Sequence, residues 1–299
     1  MSGRFDYGSE GIRRLDAKDK KILEVLSLNA RLPHTVIGKQ SRLSRESVSS
    51  RIKKLEDDGV ILRFFPNINY ERLGFFLFHI FFLVDEQKQE RKKEFITYMK
   101  KHPSVYSFIE YSDSWDFEVV LVAKSLIDFD KIITEIHTDF FDLIIDKHRI
   151  ELIKRFNACF SPFDTHIQRD FVREETQYVP DDIDIRLIML LVDDCRASTY
   201  ELGEKLRISP DSVTYRLKKL QKERVIKEFT TLIDFSKIGF HWYTHTIGMK
   251  SFNRSQELRF EEFIKKETSI IRSAKTLGGW DLILYIAVTN QREFHRIVG

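Results

Sequence analysis

The sequence predicts an α+β protein made of one unit used twice: three short helices with a small strand, then a βαββαβ layer. Three observations predict it. The chain repeats itself at one fixed offset, a helix, helix, tight turn, helix pattern opens each copy, and apolar strands alternate with helices after it.

The repeat is the strongest of the three. RESVSSRIKKLEDDGVI from Arg45 lies over PDSVTYRLKKLQKERVI from Pro210, an offset of 165 residues. Without a gap, Asp16 then meets Asp181, Arg31 meets Arg196, Gly38 meets Gly203 and Arg51 meets Arg216. Farther on, Gly74 meets Gly239, Trp115-Asp116 meets Trp280-Asp281, and Phe129 meets Phe294. Roughly a quarter of about 120 aligned positions are identical, so we read a tandem duplication. The period is too long for a solenoid. The second copy stops at Gly299, opposite Thr134, and so lacks the helix end and final strand that the first copy carries to Phe156. A fragment, or a sheet edge left for another segment, are the two readings of that.

Composition sets the outer limits. With 299 residues there is room for about two pairs of small domains. Lys+Arg 49 against Asp+Glu 46 leaves a net charge of +3, which excludes a polycationic coat but not a local basic face. Two cysteines, Cys159 and Cys195, make neither a disulfide framework nor a zinc knuckle. No leader peptide opens the chain, so the expected location is a reducing cytoplasm. The longest apolar run, LGFFLFHIFFLV from Leu73, is too short to span a bilayer as a helix, and no membrane partner is expected.

Each element has a local reason. Asp16 is a plausible N-cap for a first helix whose Ile22, Leu23, Val25 and Leu26 face inward. Pro33 and Thr35 open a second helix ending near Ser41. Ser44 caps a third, Arg45 to about Asp57, with Val48, Ile52 and Leu55 on its core side and Gly59 beyond its end. A hairpin is expected next, with Val60-Ile61 and Phe64 as a small strand supporting a wing. Strand, helix, two strands joined by SDS, helix and strand follow over 75–84, 87–101, 105–111, 116–123, 125–138 and 144–155, the ferredoxin-like order. In the first strand both alternating sets are apolar, and the strand 116–123 behaves similarly apart from Glu118. Helices cover only one sheet face, so the other needs a second cover. Another such sheet is the natural one, which also explains 25 phenylalanines.

The opening helices form a helix-turn-helix whose third helix suits the DNA major groove. Its outer face carries Arg45, Glu46, Ser49, Ser50 and Lys53 beside the cap Ser44, the candidates for base or phosphate contact. Arg51, Lys54 and Arg63 are further phosphate partners. Ile12 to Arg63 holds 13 basic and 7 acidic residues, net +6. The matching Asp181 to Lys227 holds 10 and 9, net +1, and its outer face shows Asp211, Thr214, Tyr215, Lys218 and Lys219, a weaker reader or a relic. A solvated charged face on ordinary small helical domains is the plainer alternative.

The motifs LDAKDKKIL, LSRESVSSRIKKLEDDGVI and NINYERLGF, with DDIDIRLIMLL, ISPDSVTYRLKKLQKERVI, LIDFSKIGF and LGGWDLILYIAV in the second copy, resemble the Lrp/AsnC (feast/famine) transcriptional regulators. That resemblance covers nearly the whole chain and implies two winged helix-turn-helix domains (15–65 and 180–230), each followed by a ferredoxin-like RAM sensor (66–156 and 231–299, the second incomplete), with a linker at 157–179. It implies double-stranded DNA as partner, an amino acid or other small molecule as effector, and a homodimer or an intramolecular pseudo-dimer. The tandem form departs from the single-copy pattern. Effector sites of the family lie near the turn between the second and third sensor strands, here Tyr111–Asp116 with Trp115, and Leu277–Asp281 with Gly278, Gly279 and Trp280. Gly278-Gly279 would let backbone amides meet a carboxylate, whereas Asp113 in the first copy would repel one. Both tryptophans also read as packing residues.

Two rivals stand beside the regulator. Siroheme decarboxylases are similar to the family in architecture, and His241, Tyr243 and His245 share one strand face beside the lone His79 of the first copy. No carboxylate or cysteine nearby completes a metal set with them, and no phosphate loop, nucleophile elbow or HExxH appears. No enzyme activity, cofactor or metal is therefore expected. The other rival is a protein-docking module that no longer reads DNA.

Overall fold

The computed structural model describes residues 2–4, 12–112, 114–158, 163 and 177–299. Most of the linker, Cys159 and Asp113 lie outside the described residues. The first copy begins with α1 (Ala17–Leu28), α2 (His34–Ser41) and α3 (Arg45–Asp57). Caps act where local chemistry puts them: Asp16 accepts from the amide of Asp19, and Ser44 from that of Ser47. The second copy repeats this in α6 (Asp182–Asp193), α7 (Thr199–Leu206) and α8 (Pro210–Lys222), capped by Asp181, Ser198 and Ser209. In both units the α2–α3 or α7–α8 turn passes through a left-handed arginine, Arg42 or Arg207. Gly38 and Gly203 sit under those turns. A Cβ at Gly38 would lie 2.6 Å from the Leu43 carbonyl oxygen, and one at Gly203 2.8 Å from that of Ile208, so only glycine lets the helices close.

The expected hairpin does not form within either copy. Instead the strand after α3, β2 (Ile61–Ile68), pairs antiparallel with its counterpart β7 (Ile226–Ile233), so the two wings make one shared ribbon. Its frame is two-fold: the Asn69 amide donates to the Val225 carbonyl, and the Asp234 amide to that of Val60, the same bond with the copies exchanged. Cores interlock as well. Ala30 packs in the second unit's core, Ile233 and Phe235 in the first's, and the Thr230 hydroxyl donates to the Ser27 carbonyl at 2.8 Å.

After the ribbon come β3 (Phe76–Val84), α4 (Gln89–Lys101), β4 (Val105–Glu110), β5 (Phe117–Ala123), α5 (Leu126–Phe140) and β6 (Ile144–Ala158). Their order in the sheet, β6-β3-β5-β4, is the ferredoxin-like one. One face of β3 meets the helices. Phe78, Ile80 and Phe82 pack with Phe95, Met99, Phe129 and Ile133, and each buried phenylalanine contributes about 1.5–3 kcal/mol. The second copy supplies β8 (His241–Ile247), α9 (Arg254–Lys266), β9 (Ile270–Gly278), β10 (Leu282–Val288) and α10 (Gln291–Val298), in the order β8-β10-β9. The place that β6 takes beside β3 is filled beside β8 by β1 (Ser2–Arg4), three residues antiparallel to Tyr243–His245.

β6 joins the two halves. Its first part pairs with β3 and its second, from Ile150, with β9, giving one eight-stranded sheet among the described residues. That sheet folds back on itself. β5 and β10 are separated by three strands, yet the hydroxyl of Tyr285 on β10 donates to Glu118 on β5 at 2.6 Å. The apolar face that needed a cover is thus covered by the other copy. Phe81, Tyr111 and Ile150 of the first share a core with Ile271, Ala274, Ile283 and Ala287 of the second.

Candidate nucleic-acid interface

α3 turns Val48, Ile52 and Leu55 into the core, each at most 4 % exposed, which forces the intervening positions outward. Ser44, Arg45, Glu46, Ser49, Ser50, Lys53 and Lys54 are all exposed, so the structure brings seven of the nine proposed first-unit contacts onto one surface. Two others part from them. Arg51 is held by the chain itself, 2.8 Å from Asp16 and 2.7 Å from Asp19. The amide of Asp19, helped by the Arg51 guanidinium, holds the Asp16 carboxyl below its usual range against the opposing effect of burial. Arg216 repeats the arrangement at 2.7 Å from Asp181 and 2.5 Å from Asp184. A pair kept in both copies ties the third helix to the first. Arg63, on the ribbon, stacks over the Phe65 ring and lines a cleft of about 1250 Å³ whose lining includes no residue of α3.

One residue escaped the sequence reading. Arg14 is exposed beside the α3 face, where it borders a cleft of about 430 Å³ with Ser47, Ser50 and Lys54. The charge count included it; its neighbour Arg13 is held by ion pairs to Asp58 and Asp19 and by the bond from its amide to the Lys237 carbonyl. In the second unit Asp211, Tyr215 and Lys218 are exposed. Thr214 spends its hydroxyl on the Pro210 carbonyl at 3.0 Å, and Lys219 lies over Tyr178 with Asp184 at 3.8 Å.

The sensor turns come together in space. The Trp115 and Trp280 rings are 6.2 Å apart, edge to face, with His148 of β6 between them at 5.1 and 5.2 Å from their centroids. Asp116 and Asp281 serve the backbone: Asp116 accepts from the Val84 amide at 2.8 Å and Asp281 from the Met249 amide at 2.6 Å, each closing the end of the neighbouring strand. Gly278 and Gly279 lie against β6. A Cβ at Gly278 would stand 2.3 Å from the Arg149 carbonyl oxygen, and one at Gly279 2.5 Å from the His148 ring. Close packing between the copies therefore requires these two glycines. His241, Tyr243 and His245 do share a strand face, but Tyr243 is buried, stacked on Phe294 at 4.2 Å.

Between the sheets lies a polar centre whose partners no local pattern shows. Glu118 is wholly buried and accepts from Tyr111 at 2.5 Å and Tyr285 at 2.6 Å, with His79 Nδ1 at 2.7 Å. Burial pushes its carboxyl up, but the hydrogen bonds from His79, Tyr111 and Tyr285 together outweigh that and hold it low. An ionised carboxylate only accepts, so the His79 Nδ1 carries the proton. Burial, then the Glu118 charge, pushes both phenols well above their usual range.

Known proteins agree with this architecture. Residues 15–61 match the winged helix-turn-helix DNA-binding family, and residues 181–221 the AsnC-type helix-turn-helix domain. An HTH-type transcriptional regulator of Pyrococcus horikoshii is 34 % identical over 110 residues, 37 % of this chain and 72 % of the relative. The regulator LysM of Saccharolobus solfataricus is 30 % identical over 128 residues, 43 % of this chain and 87 % of LysM. Among solved structures, the siroheme decarboxylase NirDL aligns over 94 % of this chain and 85 % of its own with a TM-score of 0.62. At 15 % identity that likeness concerns the fold alone. With duplicated helix-turn-helix units, ferredoxin-like layers behind them and relatives of this kind, the chain belongs to the Lrp/AsnC family of DNA-binding transcriptional regulators.

Proposed function

We propose that the first unit is the principal DNA reader, with α3 in the major groove. Arg45, Glu46, Ser49 and Ser50 then face base edges, and Ser44, Lys53, Lys54 and Arg14 face phosphates. The observation that carries this is the uninterrupted exposed face of α3, on a segment of net charge +6 whose core side is fully packed. α8 offers Tyr215 and Lys218 beside the acidic Asp211, which suits a weaker contact. Because the shared ribbon fixes both units in one chain, the protein acts as a built-in pseudo-dimer, and its two half-sites need not be identical. Pairing with a second chain is the other assembly we consider. We place the regulator in the cytoplasm, assign it no catalytic step, and read the sensor layers as the seat of a small-molecule effector. Among the described residues no helix is long and apolar enough to cross a membrane.

Selection of genomic fragments in vitro at two salt concentrations tests the reading. One enriched motif, lost steeply as salt rises, is the expected result, since phosphate neutralisation releases counterions. Ser50→Glu with Lys53→Glu should then weaken binding at least tenfold and flatten the salt slope by about one. Unchanged affinity in that double variant, or no binding at low salt, would refute it.

A further inference from the structure

A helix that is apolar on every side belongs in an interior, yet α6 is such a helix on the outside of its unit. It reads DIDIRLIMLLVD from Asp182 to Asp193. Leu187 and Leu191 are fully buried in the core of the second helix-turn-helix, and Ile188 and Leu190 pack along that core's edge. The opposite side carries Ile185, Met189 and Val192, at i, i+4 and i+7, which are 44, 62 and 43 % exposed. They make one apolar stripe about two turns long. Folding at this place does not require the stripe. At the offset of 165, α1 has Lys20 and Glu24 where α6 has Ile185 and Met189; Lys20 is exposed and Glu24 is paired with Lys21 at 2.8 Å. The third counterpart, Ser27, is buried. DNA has no use for the stripe either, since uncharged side chains neutralise no phosphate.

We infer that α6 docks on the α6 of a second copy of this chain, the two helices antiparallel about a two-fold axis beside Met189. Charge sets both the occupant and the direction. Arg186 and Asp193 are seven residues apart, so they share one flank of the stripe, separated by about 10.5 Å along the helix. Both are exposed. Arg186 gives one nitrogen to the Lys205 carbonyl at 3.2 Å, and its other N–H groups have no partner among the described residues. The Asp193 carboxylate makes no hydrogen bond or ion pair among them. An antiparallel two-fold lays this flank on itself, reversed end for end. Arg186 of each copy then faces the partner's Asp193, and the same ion pair forms twice around a centre where the two Met189 side chains meet. Parallel helices would instead bring like charges together at both places. The stripe is therefore complementary to itself, as an isologous interface requires. A methionine suits the middle, because its unbranched thioether adapts to the facing surface. One helix pair is a small interface, so the expected Kd is weak, on the order of 10 µM. The ribbon already joins the two helix-turn-helix units within a chain, so this contact adds a second chain to them and stands whether or not α3 reads DNA.

Analytical ultracentrifugation of the full chain without DNA, from about 1 to about 200 µM, brackets that constant and tests the contact. A reversible monomer–dimer equilibrium is expected. Met189→Glu, which installs the residue that α1 carries at that place, should weaken dimerisation at least tenfold with an unchanged melting curve. Arg186→Glu should do the same by setting two carboxylates face to face twice. Combining it with Asp193→Arg reverses both charges and should restore the dimer to within about threefold. That rescue separates a self-complementary helix pair from a surface that is merely sticky. A monomer throughout the concentration range would overturn the assignment. So would a dimer indifferent to Met189→Glu or to Arg186→Glu, or a charge reversal that fails to restore it. With DNA absent from the cell, none of these failures touches the DNA-binding reading, and failure of the fragment selection leaves the sedimentation result standing.

Discussion

Replacing Glu118 puts the polar centre between the sheets under direct test. Its side chain is fully buried and satisfies three donors, two phenols and an imidazole. Glu118→Ala leaves the His79 and Tyr285 donors unpaired, at about 1–3 kcal/mol each, while the Tyr111 hydroxyl keeps Thr244 at 2.8 Å. Relief of the carboxylate's own desolvation offsets part of that, several kcal/mol at most. The net expectation is a loss of about 2–4 kcal/mol, a large share of the 5–15 kcal/mol that stabilises typical folds. Tyr285→Phe sharpens the test. In the native background it removes one hydrogen bond to a charged group and should cost about 1.5–3 kcal/mol. In the Glu118→Ala background it removes an orphaned hydroxyl, so it should cost nothing or stabilise slightly. Equilibrium urea unfolding followed by tryptophan fluorescence and circular dichroism gives all four corners of the cycle. An equal cost of Tyr285→Phe in both backgrounds would refute the reasoning, because the phenol would then owe its stabilising effect to packing and not to the carboxylate.

Other expectations are simpler to state. Gly38→Ala should lower stability by about 1–3 kcal/mol although alanine is the better helix former by about 1 kcal/mol, because its Cβ would meet the Leu43 carbonyl; thermal melting decides, and a raised midpoint would contradict the contact. Glu257 is held at about 2 by the hydrogen bond from Lys154, ahead of that from Lys275 and against burial. A carboxyl lowered on folding contributes its stability above the ordinary value of 4.5 and loses it as pH falls toward 2. Glu257→Gln should therefore cost about 2 kcal/mol at pH 6 and roughly a quarter of that at pH 2.5, as read from urea midpoints. Arg216→Met should loosen α8 from α6 by about 1 kcal/mol without changing the affinity of the first unit for DNA, measured by fluorescence anisotropy.

What the sequence made legible was local. Asp16 and Ser44 cap helices through amides three residues away, and the 165-residue offset needs only a comparison of the chain with itself. The two greasy faces of the 76–84 strand likewise announced a second sheet. Long-range pairing was not legible. β2 and β7 carry no two-residue turn because each finds its partner in the other copy. β1 is three residues, Ser-Gly-Arg, with no apolar pattern to mark it. Glu118 stood out as an exception in an apolar strand, but Tyr285 lies 167 residues away, so its partners became visible only in three dimensions. The resemblance places Asp116 and Asp281 beside an effector turn, and what the sequence did not show is that their oxygens accept from backbone amides across the sheet.

The shared ribbon also decides how assembly depends on abundance. Two separate chains bring their reading heads together by collision, so the paired form grows with the square of concentration when protein is scarce. Here the second wing is tethered to the first, at an effective concentration set by the intervening chain and independent of copy number. Joining of the two units is therefore first order in protein. Halving the dose halves the number of paired units instead of quartering it, and dilution does not separate them.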